Sequence, residues 1–508
     1  MSKRSFKGND SINKKKKLKG TKKIIISDIS KIQHLETSCI ILKNLAFDNE
    51  PICSVTLSNL NIYCCLTCGK YFRGKNFESP AYQHALQNFN HKLFVKMCND
   101  TDNYNTVHQF ITLPDMELID ASKSKLLTII QNNINPKAIT INTIENKECF
   151  DFINKKKYIT GCVPLTNEQG MDHVNVIIQL LSQLNEFKSF NEENNILTAA
   201  TNSTCPNGSN DTSVLLQKKL LKIIRKIWNP ELIKANISPI ELINFLNNHY
   251  YSNQRNFASE EFLHSLNDPK SLYVWLIHHL HNKKLLTENL KGYILVTKTK
   301  IDLTNLKPIP NEKPKKFITP FYLLSVDLPK TSIFKEPITK ISKNNDEEGK
   351  EENCENLLLS SLIEDKFTQP HISKDGFRCE YEIKSSPMHL LIHINRFENS
   401  TTTLKISTNL RNKKIVEFQP EMKLFKNSNN INGKNGVNYK LKCNIIYNSS
   451  DKSNTNKWSV QILTHLAKFD ASPNKEEQWF EIDGLEVKKS DGVLLFLQES
   501  YFQLWERV

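Results

Sequence analysis

Residues 161–181 read GCVPLTNEQGMDHVNVIIQLL. A polar run, Thr166–Gly170, gives way to an apolar-rich one, 174–181, and Asp172 stands between them. Aspartate is a preferred N-cap: its carboxylate satisfies a free backbone N–H, typically for about 1 kcal/mol, and the helix dipole favours its charge. Cys162 lies ten positions upstream, in the approach to the helix. His173 adjoins Asp172 but points along another helix face.

Outward from this stretch the pattern changes twice. Before it lies a small Cys/His-rich module; after it come helices. Residues 213–228 read as an amphipathic helix with Leu216, Leu220, Ile223, Ile224 and Ile227 on one side. Lys218, Lys219, Lys222, Arg225 and Lys226 form the other side, a solvated face, with RNA contact as the lesser alternative. Pro230 ends that element, and Ser238 as N-cap, Pro239 at N1 and Glu241 closing a capping box start another. After about residue 385 strands follow, at 389–394, 439–447, 458–463 and 479–482. Helices followed by strands make an α+β chain, not an alternating α/β one. Polar stretches near 187–213, 340–356, 425–437 and 449–457 read as low-complexity surface insertions.

The 508 residues carry a net charge of +14, which first suggests a nucleic-acid binder. Residues 1–23, however, hold ten Lys/Arg against one acid, Asp10, and so nine of those charges. Residues 1–30 are expected to be a disordered basic tail, with a nuclear-import signal at Lys14, Lys15, Lys16, Lys17 and Lys19. The remainder is only mildly basic. An apolar fraction of 39% suffices for buried cores in a chain of this length. No run of eighteen apolar residues occurs, and the basic N-terminus lacks the apolar region of a secretory signal. The twelve cysteines therefore read as reduced thiols of the cytosol or nucleus, a few of them metal ligands.

Cys65-Leu66-Thr67-Cys68-Gly69 is a C-x-x-C-G knuckle whose turn brings two thiolates together, Gly69 supplying the positive φ such turns need. His84 and His91 complete a Cys₂His₂ set. Soft thiolates with imidazoles suit zinc, and a closed set of four leaves no open catalytic position. Cys39, Cys53 and Cys64 read as core thiols.

Residues 65–94, CLTCGKYFRGKNFESPAYQHALQNFNHKLF, resemble the ubiquitin-protease-type zinc finger. Phe72 stands where multi-zinc relatives have another Cys and Pro80 where many have a His, which implies one structural Zn²⁺ and argues against ubiquitin-tail binding. Residues 161–181 resemble the opening box of ubiquitin-specific proteases, G-L-x-N-x-G-N-T-C-Y-M-N-S-x-L-Q, with Leu165, Asn167, Asn175 and Gln179 in register. The resemblance puts Asp172 at the nucleophile position and Asn167 at the oxyanion position. It puts Lys457 at the base His position and Asp483, in the W-x-x-F-D match of residues 479–483, at the His-orienting acid. A carboxylate cannot replace a low-pKa thiolate, and a lysine protonated near pH 7 is no ready base. Peptidase activity is therefore not expected. An ion pair between Asp172 and Lys457, with charged atoms within about 4 Å, would replace the thiolate–imidazolium pair.

Further matches at Leu113-Pro114-Asp115, Ile227-Trp228-Asn229-Pro230 and Ser500-Tyr501-Phe502-Gln503-Leu504-Trp505 look like the spliceosomal tri-snRNP-associated inactive ubiquitin-specific protease homologues. That family implies a finger at 34–125 and a pseudoprotease domain at 155–508, papain-like, with helical thumb, β-rich palm and fingers. It also implies a nuclear, non-catalytic scaffold of the tri-snRNP in pre-mRNA splicing, touching tri-snRNP proteins directly and snRNA indirectly. A ubiquitin-binding reader or a residual deubiquitinase is the alternative.

Overall fold

The computed structural model describes residues 25–97, 108–139, 145–190, 209–252, 268–301, 309, 313–329, 357–372, 376–397, 412–425, 436–448, 457–467 and 475–508. The lysines of the expected import signal and most of the four polar stretches lie outside the described residues. The chain forms two compact units, one from residues up to Leu45 with Pro51–Thr128, the other from Ala46–Glu50 with Ile129–Val508.

The first unit is built on a six-stranded sheet of short strands, in the order Ile25–Ile26, Leu118–Ile119, Phe110–Thr112, Leu93–Lys96, Ile62–Cys65 and Tyr71–Arg73. The helix Pro80–Gln87 starts with proline at its first position, where the missing N–H costs nothing. It lays Ala81 and Ala85 against Tyr63, Phe72 and Phe94. Cys39, Cys53 and Cys64 are all buried in this unit.

The second unit opens with helices and continues into sheet. Asp172–Leu181, Ser209–Ile227, Ile240–Leu246 and Pro269–His279 supply most of its helical part. An eight-stranded sheet follows, ordered Leu324–Asp327, His389–Asn395, Ser500–Arg507, Val437–Tyr447, Trp458–Ala467, Lys475–Asp483 and Glu486–Ser490, with Glu421–Leu424 paired on Val437–Tyr447. Alternating side chains divide each central strand between two cores, as a period of two requires. Leu504, Ile445 and Ile462 pack on the helices, whereas Trp505, Leu441 and Leu463 pack on the far side. A four-stranded sheet, ordered Lys315–Phe321, Gly292–Lys300, Phe377–Ser385 and His371–Ile372, precedes or interleaves with these strands. A short strand pair, Glu148–Phe150 and Lys157–Ile159, already precedes the helices, and the strand-rich part begins near residue 292, not 385; in Gly292–Lys300 the apolar run is only Tyr293–Val296, too short to tell strand from helix by pattern.

Three local expectations change. The helix Ser209–Ile227 buries the predicted apolar stripe, but its basic side is not solvated. Lys219, Arg225 and Lys226 are 9%, 6% and 4% exposed. Lys219 and Lys222 each reach Glu241 at 2.9 Å, Lys226 pairs with Asp48, and Arg225 donates to the Phe190 carbonyl at 2.8 Å. An RNA-facing role for that side loses its support. Nor is the capping box made: Ser238 N donates to Asp48 at 3.2 Å, and Glu241 serves the two lysines. Finally, residues 187–190 are not part of an insertion; Phe187, Lys188 and Phe190 are buried, the first two within the helix Asn185–Ser189.

Burial alone would push the Glu241 carboxyl up, but Lys222 and Lys219 outweigh it and hold it at about 2. A carboxyl depressed in the folded state stabilises above its unfolded value, and that contribution disappears as the pH falls through the folded value. Thermal melts of the second unit should therefore drop between pH 4.5 and about 2. Glu241→Gln should be less stable at neutral pH and lose less over that interval; parallel pH profiles for the two proteins would contradict the pairing.

Candidate functional site

In the first unit, the strand Ile62–Cys65 ends on Cys65, and the turn returns through Cys68 to Gly69, whose φ is +73°. The Gly69 N–H donates to the Cys65 carbonyl at 2.9 Å. A Cβ there would lie 1.9 Å from the Asn44 carbonyl oxygen, so both the conformation and the space demand glycine. His84 comes from the helix Pro80–Gln87, and His91 from just before the strand Leu93–Lys96. One ligand atom from each of Cys65, Cys68, His84 and His91 lies within 4.8 Å of every other.

The spacing fits a tetrahedral ion. Zinc with sulfur at about 2.3 Å and nitrogen at about 2.0 Å has S···N edges of about 3.5 Å. Cys65 Sγ to His91 Nδ1 and Cys68 Sγ to His84 Nε2 are each 3.5 Å. Phe72 stacks on the His84 ring at 4.2 Å, and the Asn88 amide lies 3.3 Å from His84 Nδ1. Both contacts fix the ring orientation, the usual task of groups behind a metal ligand.

In the second unit, Asp172 is the first residue of the helix Asp172–Leu181, Met171 being the cap. Its carboxylate gathers backbone donors from two elements. Oδ1 accepts from His173 N at 3.0 Å, while Oδ2 accepts from the main-chain N–H groups of Lys457 and Trp458 at 2.6 and 3.0 Å. The expected ion pair is not formed: the contact with Lys457 runs through its backbone N–H, and its exposed ammonium stays out of ion-pair range of Asp172. The reason is local, because residue 457 precedes the strand Trp458–Ala467 and presents unused N–H groups at the strand end. Burial pushes the Asp172 carboxyl up, partly countered by the N–H groups of Trp458, Lys457 and His173.

The loop before the helix is fastened from the same side. Asn175 Nδ2 donates to the Thr166 carbonyl at 3.1 Å, and one turn later Gln179 Nε2 donates to the Val163 carbonyl at 2.6 Å. Between loop, helix and sheet remains a cavity of about 20 Å³, with Leu165, Asn167, Asp172, Trp458, Ile482 and Gly484 in its wall. That is room for about one water. Asp172 and Asn167 thus meet at one cavity. Asp483 ends the strand Lys475–Asp483 beside it but is not in its wall, and of Lys457 only the backbone reaches Asp172.

Nearby groups with reactive side chains are inert. His173 is buried, its Nε2 lies 2.5 Å from the Tyr251 hydroxyl, and burial lowers it to about 4, so it is neutral. Burial raises the Cys162 thiol to about 12 and the Cys443 thiol well above its ordinary value. The backbone N–H groups of residues 457 and 458 were not legible as partners of Asp172, since main-chain donors leave no mark in a sequence.

Residues 53–111 match the zinc finger in ubiquitin-hydrolases and other proteins, and residues 163–505 match the ubiquitin carboxyl-terminal hydrolases. The finger is accordingly a zinc-binding module, in keeping with its four converging ligands. The pre-mRNA-splicing factor SAD1 of Saccharomyces cerevisiae is 27% identical over 93% of this chain and 93% of its own length. The probable mRNA-splicing protein ubp10 of Schizosaccharomyces pombe is 26% identical over 94% and 88%. Ubiquitin carboxyl-terminal hydrolase 39 of Homo sapiens is 24% identical over 91% and 78%. A crystal structure described as an essential yeast splicing factor superposes with a TM-score of 0.64 at 23% identity, covering 94% of this chain and all of that one, and establishes the shared fold.

Proposed function

Because this chain belongs to the ubiquitin carboxyl-terminal hydrolase family, we propose that it is a catalytically inactive member acting as a protein scaffold in pre-mRNA splicing. The observation that carries inactivity is Asp172, whose carboxylate takes up the N–H groups of Lys457 and Trp458 and leaves a cavity of only about 20 Å³. With Asp172 in the nucleophile position and Lys457 in the base position, no thiolate forms and no imidazole accepts its proton. Asn167 then has no tetrahedral intermediate to stabilise, and Asp483 no imidazole to orient. Cys65, Cys68, His84 and His91 hold one structural zinc in the finger. The finger spans 34–125 and the inactive protease domain 155–508.

Splicing enters through the relatives, two of them named for it and matched over most of this chain. The scaffold serves the tri-snRNP in the nucleus, touches its proteins directly, and is addressed there by Lys14, Lys15, Lys16, Lys17 and Lys19. Affinity purification of the tagged chain from nuclear extract should recover U-snRNP proteins and their snRNAs. Recovery of neither would overturn the scaffold reading. An electrophilic ubiquitin probe that labels the wild-type chain, with labelling lost on replacing one cysteine, would overturn inactivity.

A further inference from the structure

A second, larger cavity in the second unit, about 220 Å³, is walled by Lys188, Trp228, His389, Lys442, His465 and Glu506 among others. Its charges are almost all compensated. Lys442 pairs with Glu506 at 2.9 Å and lies 3.3 Å from His465 Nε2, and His465 Nδ1 faces Glu477 at 3.8 Å. Glu145, also in the wall, reaches Lys147 at 3.8 Å. His389 turns Nε2 to Glu186 at 3.7 Å, while its buried Nδ1 has no hydrogen-bond partner.

Lys188 is the exception. It is 6% exposed, and its ammonium has one hydrogen bond, to Asn185 Oδ1 at 3.3 Å, and the face of Trp228 at 4.1 Å. Among the described residues no carboxylate lies within 4.0 Å of it. An ammonium carries three donors, and burying a charge without a counter-charge is unfavourable. A tryptophan face offsets only part of that cost. Burial, then the neighbouring Lys442, lower Lys188 to about 7, although Glu506 and Glu186, both beyond ion-pair distance, pull it part of the way back up. A methionine would fill the same space without any of this, so packing does not explain the lysine.

We propose that this cavity binds a small oxyanion ligand, a phosphate- or carboxylate-bearing molecule, whose anionic head gives Lys188 the close counter-charge that Glu506 and Glu186 supply only at a distance, and lies against Lys442. Drug-sized ligands occupy about 300–1,000 Å³, so a cavity of this volume takes something smaller. The proposal is independent of the splicing role.

The full chain is titrated calorimetrically with inorganic phosphate in one arm and succinate in another, chloride holding ionic strength constant. Saturable binding is expected in at least one arm, and the arm that responds identifies the head group. Lys188→Met should weaken that binding at least tenfold, yet melt higher than wild type without ligand, because an uncompensated buried charge has gone. In the wild type, the bound anion should also protect Lys188 from an amine-reactive reagent near pH 8, as read by mass spectrometry. No saturable binding in either arm, equal binding by Lys188→Met, or unprotected labelling of Lys188 would each overturn the proposal. A lower melting temperature for Lys188→Met would do the same, since it would make the lysine structural.

Discussion

Removing zinc is expected to unfold the first unit and leave the second folded. The core around the site is small: Tyr63, Cys65, Phe72, Ala81, Ala85, Phe94, Ile111 and Leu113, one of which is itself a ligand. Its strands are two to four residues long, too short to hold together by their ladders alone. Zinc binding in small fingers contributes about 10–16 kcal/mol at neutral pH, as much as a whole domain's typical stability. Hydrogen exchange after chelation should show protection lost at Ile62–Cys65, Tyr71–Arg73 and Leu93–Lys96. It should be kept at Val437–Tyr447, Trp458–Ala467 and Ser500–Arg507, which lie in the larger sheet. Cys68→Ser and His84→Ala should reproduce this without chelator. Unchanged protection, with metal analysis proving the zinc gone, would sink the structural role.

Asp172→Ala should destabilise the second unit by about 3 kcal/mol and change no activity. The N–H groups of His173, Lys457 and Trp458 lose their acceptor, and each buried orphan costs about 1–3 kcal/mol. The sum is reduced because the carboxylate is itself held at a desolvation cost, visible in its raised pKa. Asp172→Asn keeps an acceptor oxygen and should lose only about 1 kcal/mol. A carboxyl raised in the folded state contributes fully below 3.8 and less as the pH rises through its folded value. The gap between wild type and Asp172→Asn should therefore be wider at pH 3.5 than at pH 7, as urea titrations would measure. Asp172→Cys should stay unlabelled by an electrophilic ubiquitin probe, having a thiol but no imidazole at position 457. Efficient labelling of that variant would show that the base position has been misassigned.

Much of this was legible before any coordinates. The C-x-x-C-G spacing and the two later histidines give the four residues that converge as candidate zinc ligands, because a knuckle is a local turn and its glycine a local demand. The apolar stripe of Leu216, Leu220, Ile223, Ile224 and Ile227 gives a helix and its buried side. The position of Asp172 at a helix start follows from the resemblance to the protease family, although Met171, not Asp172, is the cap of that helix.

Sequence alone therefore determined the helix-then-strand outline of the second unit, though not its strands from Gly292 onward, the four residues that converge as candidate metal ligands, and the absence of a cysteine where the resemblance demands one. Only the tertiary structure decided what the charged groups do. Lys226 finds Asp48 across 178 positions, and Asp172 finds the backbone of Lys457 across 285. Lys188 ends up enclosed, although it lies in a stretch whose composition reads as surface. Periodicity and spacing are properties of neighbours along the chain. The fate of a charge is set by desolvation and by whatever partner packing brings within about 4 Å, and a main-chain N–H partner has no letter of its own in the sequence.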